Sequence, residues 1–314
     1  MAENPFISIC IPAFQRANYL KRLLDSIEIQ SFRVFEVVIT DDSPGMEVSD
    51  LIEIHALRPM IRYFKNVKTL GSPENWNEGI RRSGGDWVKI MHDDDWFAGP
   101  DSLLFFADAI RKSTALFYFS AYTNVFPDGH IKKIKSNDSQ RRALNKRPEI
   151  LLSSNRIGPP SAVIFKKDMF LLFDIRMHWL VDIDFYLRYL NKYPPAEYIP
   201  HNSVMIGIST SQVTYRSFGK PDIEIPERFM LSEKTDPSSI RNITVYDSWW
   251  RFIRNMKIRD EKEIGGKGYD AQIQEDLRSM IRFQKKIPHP LLQIGFLSKL
   301  FMGVHYLKMT RKKR

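Results

Sequence analysis

The first 125 residues alternate between two kinds of hydrophobic pattern. FISICIPAF (6–14) and FEVVIT (35–40) are short unbroken apolar runs rich in β-branched residues, which read as strands buried on both faces. Between them, NYLKRLLDSIEIQ places apolar residues at 20, 23, 24 and 27, one face of a helix, with Asn18 set to cap it. The alternation continues with a helix near 47–57, a strand at 61–64 and a helix over ENWNEGIRRS (74–83). A strand DWVKIM (86–91), a helix over 101–112 and a strand over 115–126 follow. This spacing predicts right-handed crossovers and an α/β fold: a doubly wound, mainly parallel sheet with helices on both faces.

In such sheets ligands bind beyond the carboxyl ends of the strands. Three polar clusters fall there: PAFQR after the first strand, DDS (41–43) after the second and HDDDW (92–96) after the fourth. Past residue 126 the alternation weakens. GPPSAVIFKK (158–167) predicts a turn and a strand, and WLVDIDFYLRYLNKY (179–193) a helix. DIEIPERFMLSEKTDPSS (222–239) has no clear period, which predicts a boundary near 216–238. Helices are expected near 240–258, 269–286 and 290–308. The expected organisation is one domain over 1–215, in halves of about 1–125 and 126–215, then a linker and helical C-terminal region over 216–314.

Composition changes this picture little. With 43% hydrophobic and 12% aromatic residues in 314, the chain can build a large core. The single cysteine, Cys10, cannot form an internal disulfide and reads as strand packing, which suits a reducing compartment. Trp249 and Trp250 lie in a helical pattern and read as core. The opening AENPFISICIPAF lacks the features of a signal peptide, and a cytoplasmic location is expected. The net charge of +10 points to an anionic partner; basic residues cluster at 130–147 and in the final KMTRKKR.

Asp93, Asp94 and Asp95 stand side by side. Adjacent carboxylates repel, and buried ones need compensation. Hard cations such as Mg²⁺ and Mn²⁺ take oxygen ligands, often one or two carboxylates plus substrate phosphates, so the run suits a metal held against a diphosphate. A solvated acidic turn accounts for the same residues. Asp41 and Asp42, ahead of Ser-Pro, suit a turn equally well, or a hydrogen bond to a nucleobase.

Together, ISICIPAFQRANYLKRLLDSI, FEVVITDDS and NWNEGIRRSGGDWVKIMHDDDWF resemble, in order and spacing, the nucleotide-sugar domain of the family 2 glycosyltransferases. The resemblance spans roughly the first 215 residues. It implies the GT-A fold, a nucleoside diphosphate sugar donor with UDP favoured, a Mn²⁺ or Mg²⁺ ion, and transfer with inversion. By position, Pro12, Ala13, Phe14 and Arg16 would line the nucleoside pocket, Asp41 would contact the base, and Asn77 would join the donor site. Asp94 and Asp95 would form the metal motif, with Asp95 the direct ligand and Asp94 near the ribose or diphosphate. The family's acidic pair at a helix start, with an Arg downstream, aligns on Val181-Asp182 and Arg188. That makes Asp182 the expected general base and Asp184 the alternate. His201 stands where some GT-A enzymes have a metal or phosphate contact, though a lone His is more often structural. ISTSQVT (208–214) would order over the donor. The chain departs from the family at His92, Gln15 and Trp76-Asn77, which bears on base and sugar preference.

PLLQIGFLSKLFMGVHYLKM (290–309) is apolar but broken by Gln293, Ser298, Lys299 and His305, too interrupted to span a bilayer. It suits a helix lying in an anionic membrane surface with RKKR at the headgroups, or a docking helix with a solvated basic end. The expected acceptor is a saccharide or lipid-linked saccharide, in surface polysaccharide, O-antigen or lipid-linked glycan assembly. A nucleotidyltransferase shares fold and metal but wants a glycine-rich basic loop after the first strand, and IPAFQRAN has no glycine. A nucleic-acid partner is not expected, because the acidic edge would repel a phosphate backbone.

Overall fold

In a computed structural model of the chain, residues 6–209, 217, 219–265 and 273–311 are described. The chain forms two compact units, residues 1–146 with 156–212 and residues 147–155 with 213–314.

The first unit is a nine-stranded sheet wrapped by helices. β1 (Ile7–Ala13), β2 (Phe35–Asp41), β3 (Ile61–Lys65) and β4 (Trp87–Ile90) are the parallel strands of the alternating half. Both β1 and β2 are buried almost throughout, as unbroken apolar runs require. α1 (Ala17–Glu28), α2 (Glu47–Ile54), α3 (Glu74–Arg82) and α4 (Ser102–Lys112) connect and cover them. α1 buries Leu20, Leu23, Leu24 and Ile27, the face its spacing predicts. β5 (Trp96–Phe97), β6 (Phe117–Val125), β7 (Ile131–Ile134), β8 (Val163–Lys166) and β9 (Ala196–Gly207) complete the sheet. The order is β3-β2-β1-β4-β8-β6-β9-β5, with β7 beside β6. β8 runs antiparallel to β4 and β6, whereas β9 runs parallel to β6 over nearly its whole length. The sheet is a doubly wound, mainly parallel one.

Three elements of this unit escape the periodicity. β7 is almost wholly exposed and β9 is interrupted by a register shift near Ala121, so neither shows clean alternation. α5 (Asp138–Lys146), in the basic cluster, buries only Leu144. α6 (Val181–Lys192) forms as expected.

The second unit is helical. α7 (Pro221–Glu233) is a correction: its segment reads as a linker, yet it forms thirteen residues of helix around Pro226. Its inner face carries Glu224, Glu227 and Ser232 among the apolar residues, which blurs the pattern. α8 (Ile243–Asn255) is capped by Asn242, whose Oδ1 accepts from the N–H of Thr244 at 2.9 Å, and buries Trp249 and Trp250 as core. α9 (Lys262–Gly265), α10 (Glu275–Lys285), α11 (His289–Gln293) and α12 (Gly295–Arg311) follow, so the helix expected over 290–308 is two. Residues 210–214, 266–272 and 312–314, which include most of ISTSQVT and the last three basic residues, lie outside the described residues. Among the described residues no helix is long and apolar enough to cross a membrane.

Candidate functional site

The parallel register carries β1 and β2 to a common end, with Pro12 opposite Thr40 and Ala13 opposite Asp41. There the chain leaves β1 through Phe14, which is exposed, and Gln15, whose φ of 63° lies in the left-handed region. The N–H of Gln15 donates to Ser43 Oγ at 2.7 Å, joining the first two polar clusters.

Asp41 and Asp42 are both buried and serve different loops. Asp41 Oδ1 accepts from the Ser43 N–H at 2.8 Å; its Oδ2 accepts from Tyr63 Oη at 2.7 Å and Lys65 Nζ at 3.0 Å. Burial, together with Asp41, holds the Tyr63 hydroxyl far above its ordinary pKa. Asp42 accepts from Asn66 Nδ2 and from the N–H groups of Leu70 and Gly71 at 2.7 to 3.0 Å, tying down the segment after β3. Asn77 is likewise engaged: its amide exchanges two hydrogen bonds with the backbone of Phe173, at 2.8 and 2.9 Å.

The third cluster is the acidic run, and it is not a solvated turn. Asp93, Asp94 and Asp95 are only 3%, 8% and 2% exposed. Arg16, at the start of α1, pairs with Asp93 through two nitrogens and reaches Asp94 Oδ2 with Nη1 at 3.2 Å. Arg22 lies over the Trp96 ring at 3.6 Å and donates to the Asp94 carbonyl at 2.7 Å. Burial and the neighbouring Asp94 push Asp93 up to about 7 against the pull of Arg16. The same two causes, burial first, hold Asp95 well above the ordinary carboxylate range. Among the described residues Arg16 is the one cation hydrogen-bonded to a carboxylate of the run; Arg22 and the buried Lys89 lie close but donate to carbonyls, so the three buried acids remain incompletely compensated.

The donor set fits a divalent ion. Ligand atoms of His92, Asp94 and Asp95 lie within 4.8 Å of one another. The Nε2 of His92 is buried without a hydrogen-bond partner. Burial lowers the His92 pKa to about 4, which keeps the imidazole neutral and able to ligate. Two carboxylates and an imidazole suit Mn²⁺ well and Mg²⁺ less well.

Several supporting residues carry no motif. Ser161, fully buried, accepts the His92 N–H on Oγ at 3.1 Å and hydrogen-bonds Asp95, while its carbonyl accepts from Lys89 Nζ. Lys89 itself is fully buried inside β4, and desolvation lowers its pKa to about 7. The Gly207 N–H donates to Asp95 Oδ1 at 3.1 Å. Sequence reasoning missed Lys89, whose only signal is that it is the one charged residue within β4; His92 is the first residue of HDDD, and Ser161 and Gly207 had no local signal.

Of the two acids that open α6, Asp184 is fully buried and accepts two hydrogen bonds from Arg188, at 2.6 and 2.9 Å. Asp182 is partly exposed and its charge is felt by Tyr122 and Tyr186. Tyr122 precedes Val125 by three residues on β6, about 10 Å of strand. Val125 pairs with Gly207, so Asp182 and the acidic run share one end of the sheet. His201 does not join them: it stacks on Phe105 of α4 at 4.0 Å, six residues before Gly207 on β9. Cys10 packs against Gly79 with its thiol pKa raised by burial, an inert position.

The sequence profile of glycosyl transferase family 2 matches residues 8–171, and the chain belongs to that family. An uncharacterised protein of Mycobacterium tuberculosis is 26% identical over 79% of this chain and 82% of its own length. An uncharacterised glycosyltransferase of Haemophilus influenzae is 28% identical over 59% of this chain and 62% of its own. Among solved structures, residues 1–349 of S. aureus TarS superpose with a TM-score of 0.62 at 15% identity, covering 98% of this chain and 92% of that one. A mannosyltransferase of Pyrobaculum calidifontis, in complex with GDP-Man and Mn²⁺, gives 0.58 at 12% identity, over 99% and 87%. These are GT-A glycosyltransferases, and the fold here is theirs.

Proposed function

We propose that this protein is a metal-dependent inverting glycosyltransferase that moves a sugar from a nucleoside diphosphate donor to a saccharide hydroxyl. The observation that carries the reading is the His92–Asp94–Asp95 group at the carboxyl edge of the sheet, its carboxylates buried and incompletely compensated and its imidazole Nε2 buried without a partner. A divalent cation there would neutralise charge building on the leaving diphosphate. Asp95 and Asp94 are its carboxylate ligands, joined by His92. Arg16 stays with Asp93 and lines the donor site with Pro12, Ala13 and Phe14.

Asp182 is the general base. It stands in the first turn of α6, where the helix dipole favours an ionised carboxylate, while Asp184 is engaged by Arg188. Asp182 accepts the acceptor hydroxyl's proton as the oxygen attacks the anomeric carbon and the nucleoside diphosphate leaves. Asp41 and Asn77 act through the loops they brace, with the nucleobase read beside Asp41. UDP is the favoured donor nucleotide: TarS is also known in complex with UDP-GlcNAc, with a TM-score of 0.59. A lipid-linked glycan is the favoured acceptor; a Campylobacter jejuni glucosyltransferase named for an undecaprenol-linked glycan is 28% identical over 29% of this chain and 30% of its own. Such an acceptor places the protein at the cytoplasmic face of a membrane.

The test is thermal stabilisation by UDP, GDP, CDP and dTDP, each with and without Mn²⁺. Binding at a hundredfold excess over Kd adds about 2.7 kcal/mol. One nucleotide stabilising only with metal, and not in Asp95→Ala, is the expected result. Equal stability under all conditions refutes the reading.

A further inference from the structure

α12 is packed inside out. Its buried residues are Ser298, His305 and Met309, and the first two are polar. Ser298 Oγ accepts from Trp250 Nε1 at 3.0 Å and from Arg254 Nη1 at 3.2 Å. His305 hydrogen-bonds Tyr246 through Nδ1 and Ser279 through Nε2, the latter at 3.1 Å. These contacts fix the rotation of the helix, and they turn four of its large apolar residues outward while Leu297, Phe301 and Met302 stay half-buried. Phe296, Leu300, Val304 and Leu307 are 73%, 60%, 40% and 54% exposed. Their spacing of four, four and three residues puts them on one stripe, opposite Ser298 and His305. Leu291 and Ile294 extend the apolar surface toward α11. Ordinary helices of a folded unit bury the apolar face and expose the polar one, so this arrangement calls for something that covers the stripe.

Charge says what covers it. From Leu277 to Arg314 the sequence holds ten lysines and arginines and not one acidic residue. At 100° per residue, Lys299 flanks the stripe on one side and Lys308 on the other, with Arg311 at its C-terminal end. Neither Lys299 nor Lys308 forms an ion pair among the described residues. Cations on flexible stems beside an apolar stripe lie well in a headgroup layer, the stems along the acyl boundary and the ammonium groups at the phosphates.

We propose that the outward stripe of α12, Phe296, Leu300, Val304 and Leu307 between Lys299 and Lys308, is a docking face for an anionic phospholipid surface. The helix lies in the interface plane and does not cross it. The face sits in the second unit and does not depend on the glycosyltransfer reading, which rests on residues of the first.

The experiment is co-sedimentation of the full chain with vesicles of phosphatidylcholine alone and of phosphatidylcholine with phosphatidylglycerol. The wild type pellets with the anionic vesicles and not with the neutral ones. Phe296→Gln with Leu300→Gln and Leu307→Gln abolishes pelleting while its melting temperature holds, because these side chains face outward. Lys299→Gln with Lys308→Gln weakens binding roughly 25-fold, at about fivefold per cation near an anionic surface. Metal-dependent nucleotide binding is unchanged in both variants, which separates this face from the donor site. A wild type that stays in the supernatant overturns the proposal. So does a wild type that is dimeric by light scattering and made monomeric by the triple variant, which would assign the stripe to a second copy of the chain.

Discussion

Gly207 and Asp95, 112 residues apart, share a hydrogen bond of 3.1 Å from the glycine N–H to the carboxylate. A Cβ on Gly207 would fall well inside contact distance of the Asp94 carbonyl oxygen. The end of β9 therefore presses on the acidic run closely enough to require glycine. Gly207→Ala should destabilise the fold by about 1–3 kcal/mol, the usual scale of overpacking. It should also weaken Mn²⁺ binding by displacing the Asp94–Asp95 backbone. Urea denaturation and calorimetric titration of Mn²⁺ measure the two effects; a variant that matches the wild type in both shows that the contact is idle.

Ser161 supports the same run from beneath, through the His92 N–H and the Asp95 carboxylate. Residues that orient ligands typically contribute 10- to 100-fold to metal affinity. Ser161→Ala should shift the Mn²⁺ midpoint of nucleotide-dependent stabilisation upward by about one to two decades, with donor binding at saturating metal preserved. An unmoved midpoint would make Ser161 a packing residue only.

The alternating half of the fold was legible because β1, β2 and β4 are buried on both faces and the helices between them on one, so hydrophobic spacing defines them. That logic failed where burial is polar. α7 buries Glu224 and Glu227, β9 shifts register, and α12 buries Ser298 and His305, so in each the pattern misleads. The site divides the same way. Asp93, Asp94 and Asp95 are contiguous and announce themselves. Ser161, just ahead of β8, and Gly207, at the end of β9, reach them only through the long-range pairing of the sheet, which no local stretch encodes. Nothing local to Asn77 foretold the partner of its amide, the Phe173 backbone 96 residues on.

The two acids of α6 make opposite predictions. Asp184 is fully buried against Arg188, and removing one partner of a buried pair usually costs about 3–5 kcal/mol. Asp184→Asn should therefore lower stability by up to that amount. Asp182→Asn should fold normally and bind donor normally, while its kcat falls by roughly 10²- to 10⁴-fold, the range for loss of a general base. Chemical denaturation and steady-state kinetics distinguish them. Wild-type turnover in Asp182→Asn would remove it from the chemistry.

Lys89 offers a prediction with a definite sign. Its ammonium is buried in β4 and its pKa is lowered to about 7, whereas an unfolded lysine titrates near 10.4. Between those values the native state holds one proton fewer than the unfolded chain, so stability rises with pH above 7, and the Lys89 contribution levels off below 7, where both states are protonated. The full slope is about 1.4 kcal/mol per pH unit. Above about 8.5 the unfolded Cys10 thiol ionises while the native one stays protonated, which opposes the gain. The clean window is pH 7 to 8.5, in which the wild type should gain about 1.5 kcal/mol relative to Lys89→Met. Taking the difference between the two proteins removes the titration of Asp93 and every other group they share. The measurement is urea denaturation of the metal-free proteins at intervals across that window. Parallel curves would mean that Lys89 keeps its ordinary pKa and that its ammonium is the standing counter-charge beneath Asp95.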